Sequence, residues 1–215
     1  MKASVMCQLK NTAEITFNGR NGLRKIIVCT GTGCVSNGSM DVYKAFIIEL
    51  SATGLFIVET YEKLQELEKP DRSAFLSKSG CQGFCQMGPL VTLEPDNILY
   101  TKVKAADVKE IIEKTLKANE VIDRLLFVDP VTSTHCRSQK DIPFYQRQTR
   151  FVLRQCGEIN PENIHEYIAI GGYEAAKKAY TQMSDQEVCT LIADSGLRGR
   201  GGGGFPTGKK WDICR

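Results

Sequence analysis

The first hundred structured residues alternate between strand-like and helix-like spacing of apolar positions. Arg24 to Cys29, RKIIVC, is a short apolar run that predicts a buried strand. A Gly-rich turn follows, Thr30-Gly31-Thr32-Gly33-Cys34. Ser39 is placed to cap a helix with Asp41 in its first turn. Val42, Ala45, Phe46 and Leu50 give that helix one apolar face. Leu55-Phe-Ile-Val58 predicts a second strand, and the charged residues 60–72 a helix or exposed loop. Ala74-Phe-Leu76 predicts a strand feeding Cys81. Leu90–Leu93 and Ile98–Lys102 flank Glu94-Pro-Asp-Asn97, a hairpin signal. Val108, Ile111, Ile112, Thr115 and Leu116 mark an amphipathic helix. Strand, helix, strand, hairpin, helix is the order of an α/β module built on one central sheet.

The pattern then thins. Residues 1–22 are expected to be a weakly structured leader, and residues 119–160 a connector with sparse elements. From 160 the spacing turns helical. Asn160-Pro161 predicts a helix start and Gly171-Gly172 its stop. Ser184-Asp-Gln-Glu187 reads as a capping box, with Met183 placed to staple against Val188. Val188, Leu191 and Ile192 are the expected buried face, and Gly196 the stop.

Composition narrows the function classes. Lys plus Arg exceed Asp plus Glu by only 28 against 25, a net charge of +3, too small to imply nucleic acid or an anionic membrane as the main partner. No apolar stretch reaches the length of a transmembrane helix, and the start lacks the apolar run of a signal peptide. A cytoplasmic, reducing setting is the expectation. There, nine cysteines are more readily metal ligands than disulfide partners.

Four of the nine form two tight pairs, Cys29-x4-Cys34 and Cys81-x3-Cys85. Each pair follows an expected strand and lies among glycines. A [2Fe–2S] cluster needs four thiolates, and Gly-rich turns let backbone N–H groups approach sulfur and stabilise the cluster's negative charge. Four thiolates on zinc are the rival chemistry, which these spacings leave open. A thioredoxin-type dithiol would need Cys-x-x-Cys, which is absent. The other five cysteines are scattered. Cys7, Cys189 and Cys214 are expected as free thiols, Cys156 as packing, and His135, beside Cys136, as no ligand.

CTGTGC with GCQGFCQMGPLV resembles the thioredoxin-like [2Fe–2S] ferredoxin domain, over roughly residues 23–118. The resemblance implies Cys29, Cys34, Cys81 and Cys85 as the cluster's ligands.

The second motif is Ser195-Gly-Leu-Arg-Gly-Arg-Gly-Gly-Gly-Gly-Phe-Pro-Thr-Gly-Lys-Lys-Trp211. Consecutive glycines expose N–H groups that can form an anion nest. A P-loop would need Ser or Thr where Lys210 stands, and a Rossmann fingerprint would need a preceding strand. A flexible basic segment is the plainer alternative. With RFVLRQCGEINPENIHEYIAIGGYEA upstream, LRGRGGGGFPTGKKW is similar to the opening of the flavoprotein, NADH-binding subunit of respiratory NADH dehydrogenase. That family usually reads GRGGAGFPTGLKW, so Gly203 replaces Ala and Lys209 replaces Leu. The resemblance implies that Gly199, Arg200, Gly201, Gly202 and Lys210 line an FMN site, with Phe205 against NAD(H).

Together the resemblances imply an α/β thioredoxin-like ferredoxin domain (23–118), a helical connector (119–160) and the incomplete start of an FMN/NADH-binding domain (161–215). A ferredoxin domain ahead of this flavoprotein resembles the β-type subunit of NAD-linked or electron-bifurcating hydrogenases, and formate dehydrogenases also carry it. The implied role is electron transfer between NADH, FMN and iron–sulfur clusters within a multi-subunit redox complex. A [4Fe–4S] cluster is expected only in a missing C-terminal part. The parent protein is expected to be an enzyme, an NADH-linked oxidoreductase, whereas NADH chemistry is not expected of the 215 residues alone. No direct membrane insertion and no nucleic-acid partner are expected. Two alternatives remain at this point: a stand-alone [2Fe–2S] carrier without its own NADH chemistry, and a zinc-stabilised interaction domain.

Overall fold

The computed structural model describes residues 24–53, 56–58 and 73–215. The expected leader 1–22, Leu55 and the charged stretch 60–72 lie outside the described residues. The described residues fall into two compact units that divide between Ala169 and Ile170.

The first unit is built on a five-stranded sheet. Its strands are β1 (Arg24–Cys29), β2 (Phe56–Val58), β3 (Ser73–Ser79), β4 (Val91–Glu94) and β5 (Ile98–Tyr100), in spatial order β2-β3-β1-β4-β5. β1 runs parallel to β3, with Cys29 opposite Ser79, and antiparallel to β4, with Ile26 opposite Leu93. A parallel pair needs a crossover. Part of it is α1 (Thr32–Ser36) and α2 (Ser39–Ala52).

Strand alternation sorts the sheet into two faces. On one face Ile26, Val28, Ala74, Leu76, Val91, Leu93, Ile98 and Tyr100 pack against Val42, Phe46 and Leu50 of α2. Val108, Ile111 and Ile112 cover the same face from α3 (Val108–Glu110) and the π-helical segment Ile111–Lys117 that continues it. Each large side chain buried here contributes about 1.5–3 kcal/mol. Thr115, polar on that buried face, is satisfied by a relay. The Ile122 N–H donates to the Tyr100 hydroxyl at 3.0 Å. Tyr100 lies 2.7 Å from the Thr115 hydroxyl, which donates to the Glu120 carbonyl at 2.9 Å.

On the other face Cys29, Leu90 and Leu99 pack with Cys34, Phe84, Cys136 and Ile142. This face is covered by the segment read as a connector. It is sparse in regular structure: a two-stranded ribbon, β6 (Phe127–Val128) with β7 (His135–Cys136), and α4 (Pro143–Gln146). Yet it packs as core. Phe84 makes edge contact with Phe127 and Tyr145 and stacks on Phe144 with centroids 5.1 Å apart. The unit ends in α5 (Ile164–Ala169). Buried Glu166 accepts the Asn160 N–H at 2.8 Å and meets the Lys25 ammonium at 3.7 Å, tying this helix to β1.

Two helix starts differ from expectation. The cap before α2 is Gly38, at φ 91°, and Ser39 is the first helical residue. The left-handed glycine reverses the chain between α1 and α2 and turns Ser39 inward, where its hydroxyl finds no partner among the described residues. α5 starts at Ile164 rather than Pro161, because the Asn163 side chain accepts the His165 N–H at 3.0 Å and sets the first turn there.

The second unit contains α6 (Glu174–Gln182), α7 (Asp185–Asp194) and α8 (Thr207–Cys214). The capping box holds: Ser184 Oγ accepts the Glu187 N–H at 3.3 Å, and Glu187 accepts the Ser184 N–H at 2.7 Å. The expected buried face of α7 holds in part, with Val188 and Ile192 half-buried. Leu191 is 55% exposed, whereas Cys189 is buried. α8 packs on α7 through Gly208, whose Cα sits so close to the Ala193 backbone that a Cβ has no room. That contact, not the Leu191 side, is the seam.

Candidate metal centre

The ends of β1 and β3 carry the paired cysteines. Cys29 closes β1, and its N–H donates to the Leu90 carbonyl at 3.0 Å. Thr30 donates to the Ser79 carbonyl through its N–H at 2.9 Å and its hydroxyl at 2.8 Å, which locks the two strand ends together. The stretch read as a glycine-rich turn contains α1, and Cys34 sits on that helix. Cys81 follows β3, and Cys85 opens a 3₁₀ turn, Cys85–Met87.

The two loops lie against each other. A Cβ added at Gly31 would stand 2.8 Å from the Cys81 backbone, and one at Gly33 would stand 2.9 Å from Cys85 Cβ. A Cβ at Gly88 would stand 2.6 Å from Cys34 Sγ. Real Cβ contacts are not that short, so all three positions are spaces only glycine leaves open. Two cysteine pairs about fifty residues apart in the chain are thereby brought to one end of the sheet.

Within this cradle the sulfurs pair. Cys81 Sγ and Cys85 Sγ are 3.6 Å apart. Two thiolates on one tetrahedral metal at ~2.3 Å stand roughly 3.8 Å apart, so this spacing suits a shared metal. Cys29 and Cys34 form the other pair. The Cys34 thiol supports the Cys29 thiolate and holds Cys29 down to about 6, with burial opposing. Cys34 is pushed far up in return, by that same partner and by burial. Cys85 is raised, chiefly by its bond to Cys81. Each pair also feels the other's charge: Cys85 acts on Cys34, and Cys29 on Cys85. The sulfurs thus stand as two pairs, and among the described residues no group of three or more His, Cys, Asp or Glu is already gathered as for a bound metal ion. All eight described cysteines are free thiols. The donor set fits a two-metal cluster with two thiolates on each metal.

The pairs differ in exposure. Cys29 and Cys34 are each 1% exposed, whereas Cys81 and Cys85 face solvent. Gly83, at φ 88°, turns its N–H toward Cys81 Sγ at 3.3 Å. The Cys29 thiol lies 3.6 Å from the Gly80 carbonyl.

Sequence reasoning missed the side chains that hold this loop. Tyr145 donates its hydroxyl to the Gln82 carbonyl at 3.1 Å, and Arg150 donates to the same oxygen. Burial raises the Tyr145 hydroxyl to about 12. Gln82 itself is buried, its side-chain amide donating to Ser79 Oγ at 3.3 Å and Thr92 Oγ1 at 3.4 Å. The signal that could have found them is Ile142-Pro143-Phe144-Tyr145, an apolar island inside a polar stretch. His135 is exposed, with Nδ1 3.2 Å from the Asp123 carbonyl. Cys136 is buried beside the site's apolar lining, its thiol 3.4 Å from the Asp141 carbonyl.

The glycine motif lies in the second unit. The Gly199 N–H donates to the Phe205 carbonyl, and the Thr207 N–H to the Leu197 carbonyl, both at 2.9 Å. These bonds close a loop that carries Arg200, Gly201 and Gly202. Gly202 and Gly204 take φ of 119° and 57°. A Cβ at Gly201, Gly202, Gly203 or Gly204 would meet nothing. Lys210 stands in α8, its N–H bonded to the Pro206 carbonyl at 3.1 Å. Phe205 is 49% exposed.

A family model for the thioredoxin-like [2Fe-2S] ferredoxin matches residues 15–116. A 2Fe-2S ferredoxin of Clostridium pasteurianum is 35% identical over 107 residues, 49% of this chain and 96% of that protein. The HndC component of the NADP-reducing hydrogenase of Solidesulfovibrio fructosivorans is 54% identical over 69 residues, 32% of this chain and 14% of that protein. A component of the NADH-quinone oxidoreductase of Aquifex aeolicus is 43% identical over 80 residues, 36% of this chain and 18% of that protein. The match therefore spans nearly all of the small ferredoxin but less than a fifth of either oxidoreductase component. On the family match, the near-complete likeness to that ferredoxin and the fold, the chain belongs to the thioredoxin-like [2Fe-2S] ferredoxin family.

Proposed function

We propose that this chain is the electron-transfer part of an NADH-linked oxidoreductase complex, with Cys29, Cys34, Cys81 and Cys85 as the ligands of a [2Fe–2S] cluster. The observation that carries this reading is the convergence of two cysteine pairs across Gly31, Gly33 and Gly88. Such a cluster takes up and releases one electron at a time. The chain's own residues do the rest. The buried pair anchors the site to the sheet, while the exposed pair sets the face through which electrons pass. The Gly83 N–H directed at Cys81 Sγ stabilises negative charge there. Four thiolates on zinc are the rival chemistry; the likeness to [2Fe-2S] ferredoxins favours the cluster.

The likeness to hydrogenase and NADH-quinone oxidoreductase components supports partners of hydrogenase or NADH dehydrogenase type; a formate dehydrogenase-type partner and a cytoplasmic setting complete the proposal. Among the described residues no helix is long and apolar enough to cross a membrane. The loop of Gly199, Arg200, Gly201, Gly202 and Phe205, with Lys210, would hold FMN and NADH by its backbone donors and positive charge. Protein groups there bind and orient; the hydride chemistry is the cofactor's. A second reading is a carrier without NADH chemistry at this chain length. The open loop favours it, since an added Cβ at any of the four successive glycines would touch none of the described residues.

Anaerobic purification separates the readings. Iron and acid-labile sulfide in equal amounts, with an electron-paramagnetic signal on reduction, support the cluster. Bound FMN with NADH-dependent dye reduction supports the full reading, and iron and sulfide without flavin support the carrier. Zinc without sulfide would overturn both.

A further inference from the structure

Arg150 lies outside the residues matched by the ferredoxin family model, yet it reaches the cysteine loop. Its guanidinium makes three contacts. One nitrogen donates to the Cys156 carbonyl at 3.2 Å. The other donates to the Gln82 carbonyl, beside the Tyr145 hydroxyl. The plane lies over the Tyr145 ring, 5.4 Å from its centroid. It also fills the space above Gly83 so fully that a Cβ there would collide with it. Gly83 is the residue whose N–H points at Cys81 Sγ. With one guanidinium nitrogen anchored on the Cys156 carbonyl and the other on the Gln82 carbonyl, Arg150 restrains the peptide between Gln82 and Gly83, the one that carries the Gly83 N–H.

We infer that Arg150 is a positioning residue for the exposed cysteine pair: it clamps the Gln82 carbonyl so that the Gly83 N–H stays on Cys81, and it sets a fixed positive charge beside the cluster. The inference rests on the cluster reading above. Reduction adds one electron and no atoms, so it makes the site one unit more negative. A neighbouring cation and a sulfur-directed N–H both favour that reduced state and raise the potential.

The test uses the whole chain. In the metal-free protein, hydrogen exchange at residues 80–85 reads the clamp. After anaerobic reconstitution with iron and sulfide, a dithionite titration through dye mediators reads the potential. Arg150→Gln is expected to speed exchange at Gly83 at least tenfold and to lower the midpoint potential at unchanged iron content. Arg150→Lys keeps the charge but not the fork. It should speed exchange similarly and lower the potential less. Arg154→Gln, an exposed arginine on the same segment, should change neither. Equal exchange and equal potential in all variants overturns the inference. If Arg150→Gln does not fold, Arg150→Lys decides it by the same two readings. If the wild type takes up no iron and sulfide, the cluster reading falls. Exchange then decides the clamp alone, and an unchanged rate at Gly83 overturns it.

Discussion

The cysteine loops and the terminal loop are both short and rich in glycine, but they use glycine for opposite physical reasons. At Gly31, Gly33 and Gly88 there is no room for a side chain, because another loop occupies the space. At Gly201 to Gly204 there is nothing but room. The first kind of glycine is a packing residue: it lets two backbones approach closely enough to bring sulfurs together. The second kind leaves the loop uncrowded by other described residues. The same residue in the same sort of sequence context therefore marks close packing in one region and open space in the other.

The largest expected effect separates metal binding from folding within the first region. Cys34→Ser and Cys85→Ser should each abolish [2Fe–2S] assembly, read as loss of iron, sulfide and the reduced-state spectrum. Their effects on the metal-free chain should differ. Cys34 is buried, so its replacement leaves a hydroxyl in an apolar site at a cost of about 1–3 kcal/mol. Cys85 is exposed, and its change should stay within about 0.5 kcal/mol by urea denaturation. Equal destabilisation by both would contradict the division into an anchoring and a facing pair.

Next come the crowded glycines. Gly31→Ala would press on the Cys81 backbone and should cost about 1–3 kcal/mol by overpacking. It should also slow reconstitution, since the loops must part to admit the methyl group. Gly208→Ala carries the same rule into the second unit. Gly208 has no space against Ala193, so this change should weaken the α7–α8 contact by a similar amount. A glycine beside the terminal loop would then behave like those of the cysteine loops, because room and not sequence neighbourhood decides.

Much of this was legible in the sequence. Ile26 and Val28 on β1, Phe46 and Leu50 on α2, and Val108, Ile111 and Ile112 repeat at the periods of a strand and of helices, and these residues do form the core. The two cysteine pairs announce themselves by spacing. What spacing does not show is that the pairs meet, since that depends on the parallel pairing of β1 with β3. α1 was hidden because Thr-Gly-Cys-Val-Ser has little helix propensity; tertiary contacts hold it. The aromatic cluster was hidden because Phe84 and Phe127 lie far in the chain from Phe144-Tyr145 and share no period with them. Hydrogen bonds such as that of Tyr145 to Gln82, 63 positions apart, leave no local trace. Leu191 misled for the converse reason. Periodicity identifies a face, but not whether anything covers it.

The smallest effect belongs to the open glycines, and it tests the comparison from its other side. Gly201 lies at ordinary φ with empty space where a Cβ would go. Gly201→Ala should therefore fold as well as the parent or gain roughly 0.4–1 kcal/mol, because alanine restricts the unfolded chain. Gly202 differs only in its backbone, at φ 119°, so Gly202→Ala should lose about 1–3 kcal/mol to strain despite equal space. Thermal unfolding of the two variants reads that contrast. If the loop serves FMN, both changes should weaken flavin binding, measured by fluorescence quenching, although one of them leaves stability intact or improved. A loop that loses stability at Gly201→Ala would be a packed turn like the cysteine loops, and the distinction between crowded and open glycines would fail there.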